Sequence, residues 1–91
     1  MIGVLVSGEG TNLQALIDAG LPLVAVASNR ADARALARAE AAGIPTGVFE
    51  LGDHASRDER DAVLADWLVE RGVELAVLAG YMHILRPVFF D

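Results

Sequence analysis

A chain of 91 residues has room for one small domain at most, and a hydrophobic fraction of 54% without any long apolar run excludes both a disordered tail and a bilayer-spanning helix. The net charge of −6, with all seven cations arginine, argues against a general affinity for nucleic acid or an anionic membrane. Cysteine is absent, so there is no disulfide framework and no thiolate metal site; with no cleavable leader pattern either, the expected location is the reducing cytoplasm.

Residues 2–6 form a continuous β-branched and aliphatic run, the pattern of a strand buried on both faces of a parallel sheet. Ser7-Gly8-Glu9-Gly10-Thr11-Asn12-Leu13-Gln14 follows and opens a helical pattern (Leu13, Leu16, Ile17) that stops at Gly20. A strand, a glycine turn and a helix start in that order make an anion site, because unpaired backbone N–H groups and the positive end of the helix converge on the turn. Thr11 and Gln14 stand at capping-box spacing, which predicts Thr11 as the N-cap.

Residues 22–27 (Pro-Leu-Val-Ala-Val-Ala) repeat the strand texture and end at Ser28-Asn29-Arg30. Residues 32–42 are helical by composition, closed by Gly43 and Pro45, with Ala33, Leu36 and Ala37 as the inward face. Residues 46–50 make a short third strand, and His54 reads as an exposed loop residue. Ser56-Arg57-Asp58-Glu59 is a second capping box with two carboxylates in the first turn. Leu64, Trp67 and Leu68 form the apolar stripe of that third helix, with Trp67 a core residue rather than a ligand platform, and Arg71-Gly72 closes it. Residues 75–79 are a fourth buried strand, followed by the loop Gly80-Tyr81-Met82-His83-Ile84-Leu85-Arg86-Pro87.

Aliphatic strands alternating with helices predict an α/β fold, a Rossmann-like parallel sheet flanked by helices in strand order 3-2-1-4. In that order strands one and four are neighbours, and ligands bind outside the carboxyl ends of the strands where the order reverses. The loops at that place are the glycine turn after strand one and the loop from Gly80 to Pro87. A dinucleotide fingerprint is incomplete: Gly8 and Gly10 fit, but Leu13 fills the third glycine position and no carboxylate follows strand two. Arg30 keeps an NADP-binding Rossmann domain as an alternative, whereas a triphosphate P-loop is excluded for want of Gly-Lys-Ser/Thr.

Three blocks, Ser7 to Gln14, Ser28-Asn29-Arg30-Ala31-Asp32-Ala33 and Leu78-Ala79-Gly80-Tyr81-Met82-His83-Ile84-Leu85, together resemble the phosphoribosylglycinamide formyltransferase family, in its order and spacing. The resemblance implies formyl transfer from 10-formyltetrahydrofolate to the amine of glycinamide ribonucleotide, in de novo purine biosynthesis. It implies that Gly10, Thr11 and Asn12 bind the substrate phosphate, and that Met82, His83, Ile84 and Leu85 contact the folate largely through backbone groups. Arg57 belongs by the same resemblance to the cofactor site, where a planar guanidinium suits a carboxylate of the folate tail. His83 stands where family members often carry Arg.

The family's catalytic Asn and His, in an Asn-x-His-Pro segment, and its catalytic Asp have no counterpart among these residues, so no catalytic residue is assigned here. Residues 1–91 are therefore expected to be a single partial domain, the N-terminal half of a formyltransferase domain, inactive without a C-terminal half. Strand four would be a bare edge and Val88-Phe89-Phe90 an uncovered apolar tail, which allows a homo-oligomer. The alternatives are a formyltetrahydrofolate deformylase-like enzyme, disfavoured because Met1 stands directly before the first strand, and a non-catalytic binding module. A tRNA formyltransferase is disfavoured by the acidic charge and the phosphate turn.

Overall fold

The computed structural model describes residues 1–50 and 56–79. In chain order the elements are β1 (Ile2–Val6), α1 (Thr11–Asp18), β2 (Leu23–Ser28), α2 (Arg34–Ala41), β3 (Thr46–Val48), α3 (Arg57–Glu70) and β4 (Leu75–Leu78). All three strand pairings are parallel, in the order β3-β2-β1-β4. Val4 stands opposite Val26 of β2 on one side and Val77 of β4 on the other, so β1 is the central strand on which both of its neighbours register.

The pleat divides the core into two layers. Val4, Val6 and Val26 point to one face, where they meet Leu13 of α1 and Ala35, Leu36 and Ala39 of α2. Leu5, Ala25 and Ala27 point to the other, where Phe49, Leu64 and Leu68 cover them. Helices on both faces explain why β1 and most of β2 carry no polar alternation. Full burial of a leucine side chain stabilises by about 1.5–3 kcal/mol, so Leu5, Leu13 and Leu64, all essentially inaccessible, are principal contributors.

Three expectations are corrected. The second helix begins at Arg34 rather than Asp32, because Ala33 donates its N–H back to the Arg30 carbonyl in a turn and keeps extended dihedrals. That start rotates its inward face to Ala35, Leu36 and Ala39, with Ala33 buried just ahead of the helix and Ala37 exposed. β4 is not a buried strand among the described residues: Leu75 and Leu78 are more than half exposed, since β4 is the end of the sheet there and meets a neighbour on one side only.

The start of α3 follows its sequence closely. Ser56 Oγ accepts the Glu59 N–H at 3.1 Å, and Asp58 and Glu59 occupy the first turn. Trp67 is half-buried, edge-on to Phe49 at 5.5 Å between ring centroids, with the Arg71 guanidinium 4.7 Å over its ring. It is a packing residue, shielded from water by that cation.

Candidate functional site

The loops after β1 and β2 are locked to each other inside the protein. Ser7 Oγ and Asn29 Oδ1 lie 2.6 Å apart, both residues buried. Ser28 Oγ accepts the Arg30 N–H at 3.0 Å. The Arg30 side chain turns outward and grips Asp32 through two contacts of 3.1 and 3.0 Å. That hydrogen-bonded pairing, reinforced by the charge of Arg30, holds the exposed Asp32 carboxyl below its ordinary value. Arg30, the residue on which an NADP reading depends, is thus occupied at the surface.

Gly10 turns the chain into α1. It is the N-cap, in the left-handed region at φ 82° and ψ 24°, and its carbonyl accepts the Gln14 N–H at 2.8 Å. The expected capping box is corrected: Thr11 is the first helical residue, the N-cap is Gly10, and among the described residues no side-chain cap bond holds the start of α1. Gln14 instead donates its amide forward to Asp18 at 3.0 Å. The left-handed glycine starts helical geometry one residue earlier than a threonine cap would. The first-turn N–H groups, which have no intrahelical acceptor, are consequently left for an external one.

Beside that helix start lies an open cleft of about 130 Å³ lined by Gly8, Glu9, Gly10, Thr11, Asn12 and Ala79. Ala79 follows β4 directly and donates its N–H to the Leu5 carbonyl at 2.9 Å. The cleft therefore lies at the carboxyl ends of β1 and β4, where the strand order reverses. As bounded by the described residues, which reach Ala79 on the β4 side, it is smaller than the roughly 300 Å³ at which drug-sized ligand sites begin. Leu13, at the position of a third fingerprint glycine, is fully buried in the core.

The structure thus brings Gly10, Thr11 and Asn12 together on one cleft. Arg57 is exposed at the first position of α3. Because each helix runs back against the parallel strands, the start of α3 lies toward the same edge of the sheet as the cleft. Met82, His83, Ile84 and Leu85, like His54, lie outside the described residues.

Two arrangements have no counterpart in the sequence reading. The first is the backing of the glycine turn by α2. The Ala35 N–H donates to the Gly8 carbonyl at 3.0 Å, and Arg38 Nε donates to the Glu9 carbonyl at 2.7 Å. Arg38 Nη1 also reaches Gln14 Oε1 at 3.4 Å, and Arg34 pairs loosely with the exposed Glu9 carboxylate at 3.5 Å. The only signal available was that Arg34 and Arg38, four apart, share one face of a helix. The second is the fully buried pair Arg60 and Asp61, 2.6 Å apart, with Arg60 Nη1 3.4 Å from the Phe49 carbonyl. It ties the first turns of α3 to the end of β3; nothing in a helix start rich in charge singles it out.

A parallel doubly wound sheet with helices on both faces and a glycine-led helix start at its switch point defines a Rossmann-like α/β domain. The chain belongs to the formyl transferase family, whose model matches residues 1–91. It is 47% identical over 94 residues to the phosphoribosylglycinamide formyltransferase of Haemophilus influenzae, covering 97% of this chain and 44% of that protein. It is 45% identical over 98 residues to the trifunctional purine biosynthetic protein adenosine-3 of Chironomus tentans, covering 99% of this chain and 7% of that one. The solved structure of glycinamide ribonucleotide transformylase 1 from Symbiobacterium toebii matches with a TM-score of 0.91 at 43% identity, covering 98% of this chain and 45% of that chain. The chain spans less than half the length of these relatives. The family resemblance and the strand order expected from sequence are both borne out. Among the described residues no helix is long and apolar enough to cross a membrane.

Proposed function

We propose that this chain carries the substrate-phosphate turn of a phosphoribosylglycinamide formyltransferase, which moves the formyl group of 10-formyltetrahydrofolate onto the amine of glycinamide ribonucleotide in cytoplasmic purine biosynthesis. The observation that carries the reading is the cleft on Gly8, Glu9, Gly10, Thr11, Asn12 and Ala79, in a chain 47% identical to an enzyme of that name. Gly10, Thr11 and Asn12 present the uncapped start of α1 to the ribonucleotide phosphate, with the helix dipole adding about 0.3–1 kcal/mol of attraction for the anion. Anchoring the phosphate there lays the rest of the nucleotide across the carboxyl edge of the sheet, where Arg57 and the loop holding Met82, His83, Ile84 and Leu85 serve the formyl donor. Arg57 is suited to the donor's carboxylate tail by its planar fork of N–H groups.

The glycinamide amine attacks the formyl carbon, a new C–N bond forms, and the bond from that carbon to the donor nitrogen breaks. The amine's proton ends on the departing nitrogen, giving formylated ribonucleotide and tetrahydrofolate. Residues 1–91 bind and orient; the Asn-x-His-Pro segment to which the family resemblance assigns the oxyanion does not occur in them. Residues 1–91 accordingly act as one half of the catalytic domain, a reading supported by relatives about twice as long.

The test is tetrahydrofolate release by the whole protein. Turnover that requires glycinamide ribonucleotide supports the reading. Binding of NADP in preference to the ribonucleotide would instead restore the dinucleotide alternative, and ligand binding without turnover would favour the non-catalytic module.

A further inference from the structure

We infer that Arg38, together with the first turn of α2, is a positioning residue that aims the backbone of the phosphate turn; the inference rests on the proposed phosphate site. A trans peptide unit points its carbonyl and the next N–H in opposite directions, and no cis bond occurs among the described residues. Two successive carbonyls of the turn are fixed to α2: Gly8 by the Ala35 N–H at 3.0 Å, and Glu9 by Arg38 Nε at 2.7 Å. The N–H groups of Glu9 and Gly10 therefore point away from α2. The cleft lies on that side, since no α2 residue lines it. Arg38 is half-buried, and its second contact, to Gln14 Oε1 at 3.4 Å, reaches the first turns of α1. One guanidinium thus braces the turn and the helix whose N–H groups together face the anion.

Without Arg38, the Glu9–Gly10 peptide is free to rotate and to present its carbonyl oxygen, instead of an N–H, to a phosphate. The site then loses a donor and gains a repulsive dipole, while the core beneath, held by Leu13, Leu36 and Ala39, is unchanged. Arg38 does not touch the phosphate in this account. It acts through the carbonyl of Glu9.

The test uses Arg38→Met, which keeps the aliphatic stem and removes the donors. The readout is the ratio of affinities for glycinamide ribonucleotide and its dephosphorylated nucleoside, measured by calorimetry in the whole protein. An unfolded fraction scales both affinities equally, so the ratio reports the phosphate alone even where the variant is destabilised. The expected result is a fall in that ratio on the order of tenfold, with nucleoside affinity per folded molecule unchanged. The loss should persist near 1 M salt, where the screening length is about 3 Å and a distant charge no longer contributes. An unchanged ratio, or a loss that vanishes at high salt, overturns the inference while leaving the phosphate site in place. A wild-type protein with no preference for the phosphorylated ligand overturns the site and the inference together.

Discussion

The two glycines of the cleft tolerate alanine very differently. Gly10 holds φ 82°, and a Cβ there would stand 2.6 Å from Ala35 Cβ and 2.7 Å from Ala35 Cα. Left-handed backbone costs a non-glycine residue about 1–2 kcal/mol. Overpacking against the backbone of α2, which cannot swing aside as a long side chain would, adds about 1–3 kcal/mol. Gly10→Ala should therefore lose roughly 2–5 kcal/mol, a large share of the stability of a small domain. Gly8 lies outside the left-handed region, and its Cβ would meet no described atom within 4 Å. Gly8→Ala should stay within about 1 kcal/mol of wild type, offset in part by reduced freedom of the unfolded chain. The assay is urea denaturation of both variants, comparing midpoints at unchanged slope. Equal stability of the two, or a Gly10→Ala midpoint at the wild-type value, would refute the reasoning. Gly10 is thus required by the helix cap and by the contact with α2, independently of what the cleft binds.

Other outcomes follow from single contacts. Ser56→Ala removes the acceptor of the Glu59 N–H and should cost about 1 kcal/mol, seen as a lower urea midpoint. Asp32 should titrate below its ordinary 3.8 in the folded protein, so its pairing stabilises above that pH and the contribution is lost as pH falls through the lower folded value. Carboxyl NMR titration should show the Asp32 midpoint move back up in Arg30→Ala; no movement would detach the shift from that arginine. Arg57→Ala should weaken the formyl donor about fivefold, the modest effect of an exposed pair worth about 1 kcal/mol, and leave ribonucleotide affinity intact. Equal loss of both ligands would mean a folding defect.

Local patterns carried most of the fold. The aliphatic runs of β1 and β2 place two strands because helices on both faces demand apolar residues at every position, and the Ser56 cap announces α3 by its own chemistry. The juxtaposition of the glycine turn with the end of β4 followed from strand order alone, and the cleft stands there. What the sequence hid was set in part by contacts distant along the chain and in part by backbone geometry and burial that residue type does not reveal. Arg38 reaches a carbonyl 29 residues away, and no local signal marks which of two surface arginines on one helix face makes that bond. The Arg60–Asp61 pair gives no local sign of burial, because a run of mixed charge at the start of a helix has the pattern of a solvated surface. Thr11 had every feature of a cap except the backbone, which Gly10 pre-empted by entering the left-handed region.

Whether the open side of this turn receives the ribonucleotide phosphate is decided at Gly8. Gly8→Val adds bulk where no described atom lies within 4 Å, on a residue that lines the cleft. Calorimetric titration of the whole protein should show glycinamide ribonucleotide affinity reduced by about a hundredfold or more, the cost of losing close backbone approach to an anion. Formyl-donor affinity and the urea midpoint should stay near wild type. A folded Gly8→Val variant that binds the ribonucleotide as tightly as wild type would contradict the account.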